Sequence, residues 1–427
     1  MSLRQEEHTD EVSPQETKVG LVLGLWLTGV FAASLGGWLD HSQDNTRSMV
    51  LLGIAVVWPL LYFWMGRCNF VPRSMSFMAT VVVVFFGLIS ALSCFTSLLP
   101  LLSSGYLILT LAGIWLALQF NSNLDAEQYE WGLKVFAILT AGILVGFSWY
   151  DYVPGTRLGN GKGVLNPNTI ALVSISVLFA AMSIRTLALR LAVMGLIAGI
   201  IVLTSSRAAA VASVVGLGIV VWFRLRARHR PVLLLAGIAL ILAVGVTIVY
   251  GDLVFKSLDR FYALSSADRG LGSGASGRVE AWKWTWDLFV RNPVLGVGFR
   301  THEFLLKVDS SSHNGYLATL AEIGMFGFLS VLFLIVRGMH LLWAGSREPG
   351  AGFSQSILLG LCVGYLLLAV FERYLINVGN PTSLLFLVSI MGPGAKEGSV
   401  AELDELQSEH PDELAFDKSV ERVYEHG

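Results

Sequence analysis

Three residues are of the types, and in the settings, that phosphate chemistry at a membrane surface would need. Arg207 stands in LTSSRAAAVAS, Arg278 opens GRVEAWKWTWDLFVRNP, and His313 sits in SSSHNGYLATLAEIG. A guanidinium fork matches two phosphate oxygens at once. An imidazole, which titrates near neutrality, can accept the proton of a hydroxyl nucleophile. Two guanidiniums and an imidazole with no obvious carboxylate partners suit an anionic phosphate leaving group attacked by an alcohol. Singly, each has a plainer reading. Arg207 could snorkel, Arg278 could be a solvated loop residue, and His313 could sit at headgroup level. Whether they act together depends on the elements that carry them.

Those elements belong to a membrane protein. Of 427 residues 54% are hydrophobic and 14% charged, against about 25% charged in an average soluble domain. Most of the chain cannot make a water-soluble surface. A helix needs about 20 apolar residues to cross the hydrocarbon. Twelve stretches qualify: 19–39, 49–66, 74–94, 98–119, 131–149, 168–184, 187–204, 207–223, 231–250, 314–336, 354–371 and 375–391. The expected fold is all-α, a polytopic bundle of about twelve transmembrane helices. Residues 1–18 form a polar tail with no cleavable signal peptide, so the first span is expected to be a retained anchor. Residues 392–427 form an acidic tail expected to be disordered.

Orientation follows from basic residues in short loops. Loops after even-numbered spans carry Arg67, Arg73, Arg185, Arg190, Arg224, Arg226, Arg228, Arg230, Arg337 and Arg347. The other side has Arg47, Arg157, Lys162, Arg207 and Arg373. Both termini are therefore expected in the cytoplasm. Residues 251–312 become one large outer loop containing short helices. In it, residues 277–293 read as a helix ending before Pro293, with Val279, Trp282, Trp286, Phe289 and Val290 on one face. On this topology His313 faces outward at the start of the tenth span, with the preceding serines as plausible caps.

Other chemistry is less well supported. The outer acids form no DxD, ExD or HExxH cluster, so no metal and no cofactor is expected. Cys68, Cys94 and Cys362 lie far apart without CxxC spacing. A net charge of −2 gives no basic face for nucleic acid. Glu322, nine residues past His313, points to the opposite helix face and reads as satisfying a neighbour inside the bundle. Gly324 and Gly327 read as packing glycines, Asn166 as a helix cap, and GVGF (296–299) as uninformative alone.

The segments GKGVLNPNTIA, SSRAAAVAS, GRVEAWKWTWDLFVRNPVLGVGF and SSHNGYLATLAEIGMFGFLSVLF resemble the O-antigen ligase and polymerase superfamily of bacterial envelope enzymes. Their order matches that family's layout of twelve spans and one large periplasmic loop. The resemblance implies a metal-independent, inverting transfer in the inner membrane with the site facing the periplasm. A glycan on undecaprenyl diphosphate would pass to a hydroxyl of lipid A core. A polymerase would instead use another lipid-linked glycan as acceptor. Carried over by motif, His313 is the general base, while Arg207 and Arg278 bind the diphosphate. Asn314, Glu322 and Arg300 are assigned support only. A twelve-span transporter or flippase is the reading from another class, but no half-to-half repeat supports it.

Overall fold

The computed structural model describes residues 16–38, 45–66, 76–154, 156–160, 165–225, 278–306, 312–347, 353–373 and 375–392. The ninth expected span, residues 251–277 and 307–311 of the expected outer loop, residues 1–15 and residues 393–427 lie outside the described residues. Within them the protein is helical, with no strand. The helices are α1 (Glu16–Trp38), α2 (Asn45–Met65), α3 (Phe77–Thr96), α4 (Pro100–Asn123), α5 (Ala126–Asp151), α6 (Pro167–Ala181), α7 (Leu187–Leu203) and α8 (Arg207–Leu225). They continue as α9 (Arg278–Arg291), α10 (Gly315–Gly345), α11 (Phe353–Leu368) and α12 (Pro381–Ile390), with a 3₁₀ turn at His302–Leu305. Eleven of the twelve expected spans fall on these helices. Six of the helices are long and apolar enough to cross a membrane.

Local chemistry fixes the helix starts. Asp125 and Gln128 form a reciprocal capping box at α5. At α6 the Asn166 side chain accepts from the Asn168 amide at 2.8 Å, ahead of Pro167. Asn380 and Pro381 repeat the device at α12. That cap shortens the last expected span: residues 375–380 are not helical, and α12 has only 10 residues, about 15 Å of helix.

Two helices form the bundle's centre. Every α6 residue from Ile170 to Ala181 is buried, and so is all of α12. Thr382 of α12 donates to the Leu172 carbonyl at 2.9 Å and lies 3.0 Å from Ser176 Oγ. Around them the outer helices expose large apolar side chains such as Phe95, Leu101 and Trp149. Water would penalise such a surface, and a lipid bilayer would not. Small residues let backbones meet: a Cβ on Gly216 of α8 would fall 2.5 Å from the Gly360 carbonyl of α11.

The α9 helix forms where expected, but a neighbouring edge faces inward. Ala281, Thr285 and Phe289 are buried, whereas Val279, Trp286 and Val290 are exposed. The small Ala281 and Thr285 allow close approach to α10, where Phe289 packs with Leu320, Ala321 and Phe328. Bulky apolar residues at 279, 282, 286 and 290 overstate the packed face.

Candidate functional site

The turn between α7 and α8 carries Arg207 at the first position of α8. A neighbouring loop pins this turn: Leu158 donates to the Leu203 carbonyl at 3.0 Å, and Arg157 Nε to the Thr204 carbonyl at 2.8 Å. Ser205 is held at φ 50°, a left-handed conformation that is unusual outside glycine. The chain then turns sharply into α8, and Arg207 is half-buried.

Arg278 is the first residue of α9. His313 precedes α10 and has φ 43°. The expected serine caps give way to Asn314, whose side-chain oxygen accepts from the amides of Tyr316 and Leu317 at 3.0 Å each. This accounts for Asn314 as a structural support directly beside His313. The first residue of α10, Gly315, donates its amide to the Ala369 carbonyl at 2.7 Å. A Cβ there would lie 2.9 Å from Leu375, so glycine is what lets α10 dock on the turn after α11.

That docking brings in a residue absent from the sequence reading. Glu372 is buried in the same turn, with Oε1 3.6 Å from Arg278 Nη2 and Oε2 3.8 Å from His313 Nδ1. The expectation that the cations lack a carboxylate is therefore corrected. Both separations exceed hydrogen-bond length, so Glu372 acts on its neighbours through charge. Burial holds the Arg278 guanidinium below its ordinary value; Glu372 opposes this and nearby Arg207 adds to it. Arg207, Arg278, Glu372 and His313 thus form one electrostatic cluster. His313 Nδ1 is buried and has no hydrogen-bond partner among the described residues, while 29% of its side chain is exposed. The accessible part of the ring is consequently elsewhere than Nδ1.

Glu322 serves a second, fully buried network. Its Oε1 lies 2.5 Å from His302 Nδ1, and His302 Nε2 lies 3.0 Å from Ser312 Oγ. Ser312 directly precedes His313, so this chain anchors the backbone beside the histidine. Glu322 satisfies an interior neighbour, as its helix face implies, and does not touch His313's ring. The GVGF segment is more informative in three dimensions. Val297 and Gly298 donate their amides to the carbonyls of Ala321 and Glu322, and Ser93 donates to the latter at 2.6 Å. Gly296 (φ 72°) and Gly324 (φ 67°) permit that contact: a Cβ on Gly324 would meet the Val294 carbonyl at 2.2 Å. Gly324 is therefore a kink glycine inside α10 and contacts a loop, not a packed helix.

Arg300 lies in the same loop with φ 62°, its guanidinium 5.3 Å from the Tyr106 ring. Glu303 pairs with Arg373, the residue after Glu372. Burial would raise the Glu303 carboxyl, but Arg373, then Arg300 and His302, outweigh it and hold it below its ordinary value. Among the described residues no three His, Cys, Asp or Glu side chains are grouped to hold a metal ion.

A family model described as O-antigen ligase matches residues 191–332. The matched stretch carries Arg207, Arg278, Arg300, His302, His313, Asn314 and Glu322, while Glu372 and Arg373 lie beyond it. No curated protein matches the chain.

Proposed function

We propose that this member of the O-antigen ligase and polymerase superfamily is a ligase. It moves a glycan from undecaprenyl diphosphate to a hydroxyl of lipid A core in the periplasmic leaflet of the inner membrane. The observation that carries the reading is Glu372 lying between Arg278 and His313, with Arg207 in electrostatic reach. One buried carboxylate thereby couples the phosphate-binding cations to the base.

In the reaction the acceptor oxygen attacks the anomeric carbon of the donor glycan. Its proton passes to the His313 imidazole. The bond from the anomeric carbon to the diphosphate oxygen breaks, with inversion, and its electron pair leaves on undecaprenyl diphosphate. Arg207 and Arg278 stabilise that growing charge. Preorganised donors of this kind contribute several kcal/mol in a partly dehydrated site, and a positioned base adds roughly 10²–10⁴-fold. Glu372 is a positioning residue that favours the protonated imidazole formed at the transition state.

Deleting the gene, then comparing lipopolysaccharide on a gel with the undecaprenyl-linked pool, tests the reading. Bare core with long glycan stranded on the carrier is expected. Core capped by a single repeat, without long carrier-bound chains, would instead assign a polymerase; an unchanged ladder would refute both. Complementation by His313→Ala or Arg207→Ala is expected to fail at wild-type protein levels.

A further inference from the structure

Among the described residues, three non-glycine positions have positive φ: Ser205 at 50°, Arg300 at 62° and His313 at 43°. Such backbone costs about 1–3 kcal/mol and persists where the surroundings enforce it, often at functional sites. Two of the three belong to the cluster already described, since Ser205 turns the chain into Arg207. The third is Arg300, and its surroundings are equally firm. Ser103 donates to the Phe299 carbonyl at 2.8 Å, Phe299 packs edge-on to Phe86, and Thr301 donates to the Gly298 carbonyl at 2.8 Å. The strain falls on the one residue of this loop with a guanidinium.

The charges around Arg300 repeat the pattern next door. Glu303 pairs with Arg373 and lies within electrostatic reach of Arg300, much as Glu372 stands beside Arg278 and His313. Glu372 and Arg373 are consecutive, so their Cα atoms are about 3.8 Å apart and the same turn carries one member of each group. Of the residues named, each group holds two guanidiniums and one carboxylate. The first has the two guanidiniums a diphosphate needs, which leaves the second for another anion. Tyr106 supports the Arg300 guanidinium through a cation–π contact.

We propose that Arg300, aided by Arg373, binds an anionic group on the acceptor glycan and so presents the acceptor hydroxyl to His313. The inference rests on the transfer reading above and names its acceptor class: a saccharide bearing a phosphate or a carboxylate. Glu303 is a positioning residue that holds Arg373.

Equilibrium binding to the full chain in lipid nanodiscs, without donor and so without turnover, tests this. The probes are core oligosaccharide as isolated, after phosphatase treatment, and after chemical reduction of its carboxylates. Wild type is expected to lose about tenfold to a hundredfold in affinity for one treated form, the range of a lost charge-assisted contact. Loss on dephosphorylation identifies a phosphate, and loss on reduction a carboxylate. Arg300→Gln is expected to bind all three forms equally weakly, with inorganic pyrophosphate binding unchanged. Arg300→Gly supplies the fold control. Glycine relieves the backbone strain, so thermal stability should hold or rise while discrimination disappears. Equal wild-type affinity for all three probes would overturn the proposal, as would a matching loss of pyrophosphate binding in Arg300→Gln. A chain that discriminates probes yet transfers nothing would refute only the proposed reaction. Transfer without discrimination would refute only the acceptor subsite.

Discussion

Replacing Glu372 by Gln should pull apart two effects that most site mutations lose together. The carboxylate lies 3.6 Å from Arg278 and 3.8 Å from His313, too far for hydrogen bonds. An isosteric amide therefore keeps the shape and removes only charge. At an effective dielectric near 20, a unit pair at this separation is worth about 4–5 kcal/mol. Arg278 keeps 23% of its side chain exposed, and solvent screening brings the usable part to roughly 2 kcal/mol. That energy restrains the guanidinium from an incoming diphosphate. Its loss should tighten pyrophosphate binding by up to about 30-fold, at 1.36 kcal/mol per decade.

The same change removes the negative charge beside the cation that develops on His313 as it takes the acceptor proton. The transfer rate at saturating donor should therefore fall at least about tenfold, within the range of positioned base catalysis. The assay is transfer by the purified chain in nanodiscs, with pyrophosphate affinity measured separately by titration. Tighter pyrophosphate with slower transfer is the expected signature. Unchanged pyrophosphate affinity with wild-type rate would refute the coupling through Glu372. Weaker pyrophosphate would mean that the carboxylate organises Arg278 for binding and does not compete for it.

Three further outcomes follow from the same geometry. Burial and Arg207 make charged Arg278 unfavourable, so an anion relieves the fold: pyrophosphate at about 100 times its Kd should stabilise wild type by about 2.7 kcal/mol, and Arg278→Gln by much less in a thermal-unfolding assay. The Glu303 carboxyl is depressed by Arg373 and Arg300 against the effect of burial. Its contribution is thus present above the ordinary carboxylate range and lost as pH falls through the folded value. Glu303→Gln should accordingly be less stable than wild type at pH 7, with the gap closing at acid pH in parallel melts. Gly296→Ala places a Cβ 2.4 Å from the Glu322 carbonyl at φ 72°. It should cost more than about 2 kcal/mol and lower the melting temperature, while Gly29→Ala, which meets nothing, should not.

The candidate site was legible where residue type and position at a span end sufficed, and illegible where backbone approach decided. Arg207, Arg278 and His313 announce themselves by being cations and an imidazole at one end of apolar stretches. Glu372 does not, because it sits in a short turn between two spans, in no motif. Its place beside His313 is created by the Gly315 amide meeting the Ala369 carbonyl. Hydropathy likewise continues through residues 375–380, where the Asn380 cap delays α12. Helical periodicity found α9 but favoured its bulky face, whereas small Ala281 and Thr285 allow the closer packing. GVGF looked empty because glycine carries no functional group. Its role is the absence of one: at Gly296 and Gly324 the missing side chains let the loop hydrogen-bond to a kinked helix. That same loop then holds Arg300 on Tyr106 and His302 against Glu322. In a membrane bundle the charged groups mark the candidate site, but glycines at close approaches decide which of those groups can meet.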